Sequence, residues 1–161
     1  MKTRKANTAD IKEIHKLINE FAKEEAMLPR ALNELYEGIR DFIVCEDEGI
    51  IQGVCALRIL WEDLAEIRSL AVKNEYQKKG IGMVLLRKAL KEADEMGIKR
   101  VFALTYQPDF FKKAGFRDIN KNKLPQKIWG DCLKCHKFPD CDEHAVIITL
   151  CPSKNTKSVK N

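Results

Sequence analysis

The sequence AEIRSLAVKNEYQKKGIGMVLLRKAL, residues 65–90, contains the loop QKKGIG at 77–82. A pyrophosphate loop needs several N–H groups converging on one point, and the glycines Gly80 and Gly82 remove the Cβ atoms that would block that approach. The helix that follows would add its positive dipole end, and Lys78 and Lys79 add positive charge. The loop is neither a dinucleotide fingerprint nor a P-loop, because it lacks a third glycine and a Gly-Lys-Ser/Thr sequence. The alternative is that the glycines only allow tight packing at a helix start.

A strand is predicted before this loop and a long helix after it. The strand, 65–72, alternates so that Glu66, Arg68, Leu70 and Val72 share one face. The helix is predicted over 80–96, because its apolar residues recur at helical spacing and a stop signal, Gly97, follows.

The other elements are predicted from the same two periodicities. Their order is β-α-α-β-β-β-α-β-α-β-β. Further strands are predicted at 2–6, 42–45, 50–59, 100–105, after Gly115 and at 145–150. A helix is predicted from the Asn7 cap to Phe21, and shorter helices are predicted over 32–39 and from Pro108. Gly53, inside a strand, predicts a bulge or a close backbone approach. This pattern predicts an α/β fold of three layers, in which helices flank a mixed, mainly antiparallel sheet. We expect one domain over 1–151 and a disordered basic tail over 152–161.

Composition limits the partners of the chain. Of 161 residues, 45% are hydrophobic, which suffices for a core, and the net charge is +5. Three of the basic residues lie in the last ten positions, so the fold itself has no evident basic face and nucleic acid is not an expected partner. No apolar run reaches the ~20 residues that span a bilayer, and the N-terminus lacks a signal peptide, so we expect no membrane association and a cytoplasmic location. The sequence leaves both a monomer and a homodimer open.

The six cysteines are expected to be reduced in that compartment. Cys45 and Cys55 lie in strand-like runs and are predicted core residues. Cys132, Cys135, Cys141 and His144 have the ligand types of a zinc site, but the five residues between the two pairs are fewer than zinc fingers use. We therefore predict no bound metal and treat these cysteines as reduced packing residues, with a zinc site and a Cys132–Cys135 redox pair as the alternatives.

The loop and a second segment, FALTYQPDFFKKAGF at 102–116, together resemble the GNAT superfamily of N-acetyltransferases. The Q/R-x-x-G-x-G/A loop of that family is matched at Gln77, Gly80 and Gly82. The resemblance implies a GNAT-like fold and acetyl-CoA as cosubstrate. It assigns the pantetheine arm to the backbone around Leu70, Ala71 and Val72. The pyrophosphate is assigned to the amides of Gln77, Lys78, Lys79, Gly80, Ile81 and Gly82.

Amine acetylation requires a base, because only a neutral amine attacks the thioester. Glu66 is the candidate base, since many relatives carry a carboxylate on this strand; the alternative is a surface glutamate paired with Arg68. Many GNAT enzymes place an acid, a tyrosine, in the short helix after the fifth strand, but residues 109–112 contain none. Tyr106 is the substitute candidate, and its alternative role is packing at the strand end.

The segment MLPRALNELYEGIRDF, residues 27–42, together with EIRSLAV at 66–72 and FALTYQPDFFKKAGF at 102–116, resembles the short bacterial N-acetylglutamate synthases. Glutamate carries two carboxylates, which arginine binds well through its planar fork. We predict Arg30 and Arg68 as acceptor-binding residues, with Arg58 and Lys127 as weaker candidates. The predicted function is acetylation of the α-amine of L-glutamate, as in arginine biosynthesis. The alternatives are another small amine or a protein amine as acceptor, or a non-catalytic acyl-CoA sensor.

Overall fold

The computed structural model describes residues 1–124 and 143–151. Within these two ranges, seven strands and four α-helices follow one another in the predicted order. The strands are β1 (Lys2–Lys5), β2 (Phe42–Asp47), β3 (Ile50–Trp61), β4 (Leu64–Val72), β5 (Arg100–Thr105), β6 (Arg117–Asp118) and β7 (His144–Thr149). The helices are α1 (Ile11–Lys23), α2 (Leu32–Glu37), α3 (Ile81–Glu95) and α4 (Pro108–Lys113).

The predicted helix and strand starts are largely confirmed. Asn7 accepts a hydrogen bond from the N–H of Ala9 and opens a 3-10 turn that runs into α1. Pro108 is the first residue of α4, and Gly97 has the positive φ of a helix stop. The prediction that Ile39 belongs to the second helix is wrong, because α2 ends at Glu37 and Ile39 begins a separate 3-10 turn.

The sheet has the strand order β1-β2-β3-β4-β5-β7-β6. Among the described strands, only β4 and β5 pair in parallel, and the other neighbours are antiparallel, so the predicted mainly antiparallel sheet is confirmed. The parallel pairing covers three residue pairs and ends at Glu66 opposite Phe102. Beyond that point β5 continues to Thr105 beside β7, while β4 continues to Val72 beside β3. The centre of the sheet is therefore open between the ends of β4 and β5.

Helices cover both faces of the sheet. One core lies under α3, where Leu85, Leu86 and Ala89 are fully buried against residues of β2 to β5. The other lies under α1 and α2, where Ile14 and Leu35 pack against the opposite side of β2 and β3. The three-layer prediction is confirmed. Among the described helices, none combines the length and apolar character that crossing a membrane would need.

A bulge in β4 overturns the predicted alternation of that strand. Ile67 and Arg68 pair with successive residues of β3, but the next pair joins Ala71 to Val54, so β4 carries one extra residue. Ser69, inside the bulge, has a φ of 49°, which a non-glycine residue seldom adopts. Glu66 and Arg68 therefore share the α1 side of the sheet, whereas Leu70 and Val72 pack on the α3 side. The prediction that all four share one face is wrong, because the extra residue reverses the orientation after it.

Gly53 confirms the prediction of a close backbone approach. A Cβ atom at this position would lie 3.0 Å from the carbonyl oxygen of Ala71 and 3.1 Å from Cδ1 of Leu85. The register of β2 and β3 also shifts beside it, between Cys45 and Glu46. The missing side chain lets α3 lie close to the sheet at the end nearest the glycine loop.

Candidate functional site

The opening between β4 and β5 leads into a cavity of about 800 Å³. Its walls come from four parts of the chain: the segment after α1, strand β4, the glycine loop with the start of α3, and the segment from the end of β5 into α4. Nearly all predicted site residues line it, namely Arg30, Glu66, Arg68, Leu70, Ala71, Val72, Gln77, Lys78, Gly80, Ile81, Gly82 and Tyr106. Lys79 is not among the lining residues. Pockets of this size commonly hold a small-molecule ligand.

The backbone of the glycine loop is shaped to present its N–H groups. Lys78 and Gly80 have φ values of 61° and 82°, so positive φ recurs at alternate residues. Such alternation turns successive N–H groups toward one side and forms an anion-binding concavity. Gly80 is also the N-cap of α3, whose first turn contains no acidic residue. Loop and helix start therefore combine as the pyrophosphate prediction requires.

Side chains of the loop brace it from outside. The Gln77 amide donates to the carbonyl oxygen of Val72 and to Oδ1 of Asn74, both at 3.0 Å, so it ties the loop to the end of β4. The Lys79 ammonium lies 5.3 Å from the centre of the Tyr76 ring, in cation–π contact. Gln77 therefore holds the loop in position, and Lys79 adds positive charge near the loop without lining the cavity.

Gly82 leaves room where α4 meets α3. A Cβ atom there would lie 3.4 Å from the Phe110 ring and 3.7 Å from Cγ2 of Val72. Phe110 contacts Phe111 edge to face, and Phe111 contacts Phe116 in the same way. The tyrosine-free helix α4 thus supplies an aromatic wall. The open strand edge, the loop amides and this apolar wall together suit an elongated thioester cosubstrate with a pyrophosphate.

Glu66 is buried, with 8% of its surface exposed, so the alternative of a surface glutamate does not hold. Its Oε2 accepts a hydrogen bond of 2.6 Å from Nε of Arg68. The predicted pairing of Glu66 with Arg68 is therefore present, but both side chains line the cavity and neither lies on the outer surface. A carboxylate fixed in this way at a cavity wall has one defined direction in which to meet a substrate amine.

Tyr106 lies at the end of β5, on the cavity wall opposite β4. The preceding residue, Thr105, is buried, and its hydroxyl accepts a hydrogen bond of 2.8 Å from the N–H of Gln107. This bond fixes the turn between β5 and α4 and with it the place of Tyr106. Glu143, just before β7, lines the cavity as well.

Arg30 lies in the segment between α1 and α2, as predicted, and its backbone is anchored. The Asn19 side chain of α1 accepts from the N–H of Arg30 at 3.3 Å and donates to its carbonyl oxygen at 3.0 Å. The anchored backbone holds the half-buried Arg30 at the wall of the cavity.

A second cavity, of about 380 Å³, adjoins the first. Both cavities are lined by Arg30, Arg68 and Ser69, so the bulge of β4 stands at their junction. The second one also contains Arg58, whose Nη1 lies 3.6 Å from Oδ2 of Asp41. Burial raises the pKa of Asp41 even though this arginine opposes the shift. Sequence reasoning missed Asp41, because a lone aspartate before a strand carries no signal of its own.

Comparison with known proteins assigns the chain to a family. The model of the acetyltransferase (GNAT) family matches residues 8–116, which is more than half of the chain and includes the glycine loop. This chain belongs to the GNAT family. It is accordingly an acetyl-CoA-dependent N-acetyltransferase, as the sequence resemblance predicted.

Individual relatives agree with this assignment. An uncharacterised N-acetyltransferase of Chlorobaculum tepidum is 44% identical over 91% of this chain and 95% of that protein. An amino-acid acetyltransferase of Mycobacterium tuberculosis is 32% identical over 83% of this chain and 78% of that protein.

A solved structure of N-acetylglutamate synthase from Neisseria gonorrhoeae, complexed with coenzyme A and N-acetyl-glutamate, matches with a TM-score of 0.85 at 28% identity. The match covers 93% of this GNAT chain and 35% of that one. A Mycobacterium tuberculosis protein solved in complex with CoA matches with a TM-score of 0.81 over 94% of this chain, also at 28% identity.

The structure describes only some of the cysteines for which roles were predicted. Cys45 and Cys55 are fully buried core residues with free thiols, as predicted, and burial raises the pKa of Cys55 to about 12. Of the four alternative zinc ligands, Cys132, Cys135 and Cys141 lie outside the described residues, as does Lys127. His144 is the exposed first residue of β7.

Proposed function

We propose that this GNAT enzyme transfers the acetyl group of acetyl-CoA to the α-amine of L-glutamate. The observation that carries the proposal is the placement of Glu66, Arg68 and Arg30 on one cavity with the glycine loop. An amino acid whose carboxylate meets the arginines would have its amine beside Glu66. The amino-acid acetyltransferase names of several relatives support the same class of acceptor.

In the proposed reaction the amine nitrogen bonds to the thioester carbonyl carbon and the carbon–sulfur bond breaks. The proton of the amine passes to Glu66, directly or through water, and the CoA thiol leaves. A thiol has a pKa near ~8.5, so the leaving group needs little help from an acid, and Tyr106 is the residue we assign to that help. The glycine loop and the backbone of residues 70–72 would hold the cosubstrate.

The broader setting is also proposed. Glutamate acetylation would place the enzyme in arginine biosynthesis. The free thiols of Cys45 and Cys55 agree with a reducing compartment such as the cytoplasm.

The test is an acceptor panel. The enzyme is incubated with acetyl-CoA and a series of amino acids and amines, and the release of free CoA thiol is followed. Saturable release with L-glutamate is expected. A different kind of amine with a much higher kcat/KM would contradict the glutamate assignment while leaving the acetyltransferase activity intact.

A further inference from the structure

An ion pair joins helix α1 to the end of β4, where the segment leading to the glycine loop begins. The ammonium of Lys73 lies 2.6 Å from Oε1 of Glu13, in the first turn of α1. Ala71 packs on the α1 side of the sheet, and Lys73, the next residue but one, directs its side chain to that same side. The Lys73 side chain is only 22% exposed, so this pair is better shielded from water than the exposed pair of Lys16 and Glu20 on the same helix.

The backbone of Lys73 is held by bonds that do not involve its ammonium. Its N–H donates to the carbonyl oxygen of Gln52 at 2.9 Å, and its carbonyl oxygen accepts from the N–H of Tyr76, also at 2.9 Å. The Gln77 amide ties the loop to the carbonyl oxygen of Val72. The loop therefore has anchors of its own, and Lys73 is a fixed point to which α1 is attached.

The end of α1 and the segment after it form one wall of the cavity. The buried face of this helix is aliphatic, and apolar packing has little directional preference. The ion pair of Arg4 with Asp10 attaches the start of α1 near the edge of the sheet, but one attachment still allows the helix to rotate about it. Asn19, which binds the backbone of Arg30, lies about 9 Å further along the axis than Glu13. A small rotation about the start of α1 would therefore displace Arg30.

We propose that Glu13 and Lys73 are positioning residues that set the acceptor wall of the cavity against the glycine loop. Their ion pair fixes the direction of α1 relative to the loop, and through Asn19 it fixes the place of Arg30. The inference rests on the proposed function, which makes Arg30 an acceptor-binding residue. Loss of the pair should weaken productive binding of the acceptor, whereas binding of the cosubstrate should persist because the loop keeps its own anchors.

The test compares the steady-state kinetics of the wild type, Glu13→Gln, Lys73→Met and the double variant. Each single variant should raise the KM for L-glutamate by about three- to tenfold, because a small displacement of a positioning group weakens productive binding. The KM for acetyl-CoA should change by less than about twofold. The double variant should resemble either single variant, since both remove the same contact. Glu20→Gln, which breaks the exposed pair with Lys16, is the matched control and should leave both KM values unchanged.

An unchanged KM for glutamate in both single variants would overturn the inference. A double variant whose KM rises by the product of the two single effects would overturn it as well. The same holds for an equal rise in the KM for acetyl-CoA, because the pair would then serve the loop itself. If Lys73→Met does not fold, Glu13→Gln decides alone, since Glu13 is the more exposed partner.

Failure of the proposed function gives a different result. If the wild type does not acetylate glutamate, the glutamate assignment falls, and the same variants are measured with the amine that the acceptor panel identifies. A rise in the KM for that amine, with the KM for acetyl-CoA kept, would support the positioning role, and an unchanged KM would overturn it.

Discussion

At the scale of single residues, the ion pair between Glu66 and Arg68 decides how the site can work. The two side chains are joined at 2.6 Å and are among the least exposed charged groups on the cavity wall. The pair can be a support for the fold, a catalytic pair, or both. Substitution of either residue separates these roles. Loss of a structural ion pair lowers the stability of the fold, whereas loss of a general base changes the dependence of the reaction rate on pH.

Glu66→Gln should lower kcat/KM by about 10²- to 10⁴-fold, the usual contribution of a general base. The loss should be greatest at low pH, where little of the amine is neutral in solution and the enzyme must remove its proton. The measurement is a pH–rate profile together with the Kd for acetyl-CoA, which should change little. Glu62→Gln, an exposed carboxylate in the turn before β4, is the control. A profile of unchanged shape would exclude Glu66 as the base.

Arg30→Ala and Arg68→Ala should each raise the KM for glutamate by about tenfold or more, since hydrogen bonds between charged groups contribute about 1.5–3 kcal/mol. The KM for acetyl-CoA should stay nearly constant. Arg68→Ala should also lower thermal stability, because it leaves Glu66 without this partner, whereas Arg30→Ala should not. The exposed Arg40 lies on neither cavity, so Arg40→Ala controls for the loss of one positive charge. An unaltered KM for glutamate in both variants would refute their assignment.

At the scale of elements, the positions of the helices and strands could be predicted from the sequence, but the bulge in β4 could not. Hydrophobic periodicity, together with turn and cap residues, predicted the eleven helices and strands of the described residues, although the two-residue strand β6 has no buried side chain. The bulge at Ser69 was missed because serine is not a residue that positive φ usually selects. One signal was present: Leu70, Ala71 and Val72 are three apolar residues in succession, which a strictly alternating half-buried strand does not produce. The location of Asp41 beside Arg58 depends on the register of β2 with β3, in which Phe42 pairs with Ala56, and the local sequence does not specify that register.

Gly53→Ala tests the contact between α3 and the sheet. The new Cβ would press on the backbone carbonyl of Ala71 and on Leu85, so we expect a destabilisation of about 1–3 kcal/mol in the free energy of unfolding. Denaturant titration measures it. Val84→Ala, on the more exposed side of α3, should change stability much less. Equal stability of Gly53→Ala and the wild type would show that the helix moves away without cost.

At the scale of the whole molecule, one charge cluster joins the N-terminal strand to the first helix and to β2. The Arg4 guanidinium donates to both Asp10 oxygens, at 2.7 and 2.9 Å, and to Glu46 at 2.7 Å. The hydrogen bonds from Arg4 hold the pKa of Asp10 below its ordinary value, against an opposing effect of burial. They lower the pKa of Glu46 as well.

This cluster predicts a dependence of stability on pH. A depressed carboxyl pKa stabilises the fold above the unfolded-state pKa of ~3.9, and the contribution is lost as pH falls through the lower folded-state pKa. Arg4→Met should therefore unfold at lower denaturant concentration than the wild type at neutral pH, and the difference should shrink below about pH 4. Arg87→Met, an exposed substitution on α3, is the control. A difference that stays constant down to pH 2 would show that Arg4 stabilises the fold by packing alone.

The extra residue in β4 divides that strand between the two sides of the molecule. Its first half presents Glu66 and Arg68 to one helical layer, and its second half presents Leu70 and Val72 to the other. In evolutionary terms, the bulge is an insertion of one residue into a strand that would otherwise pair regularly with β3. Deletion of Ser69 would restore the regular pairing and would leave Glu66, Arg68, Leu70 and Val72 on their present sides. A gain or loss of one residue at this point would therefore reshape the backbone where the two cavities meet without moving the charged side chains of the acceptor side.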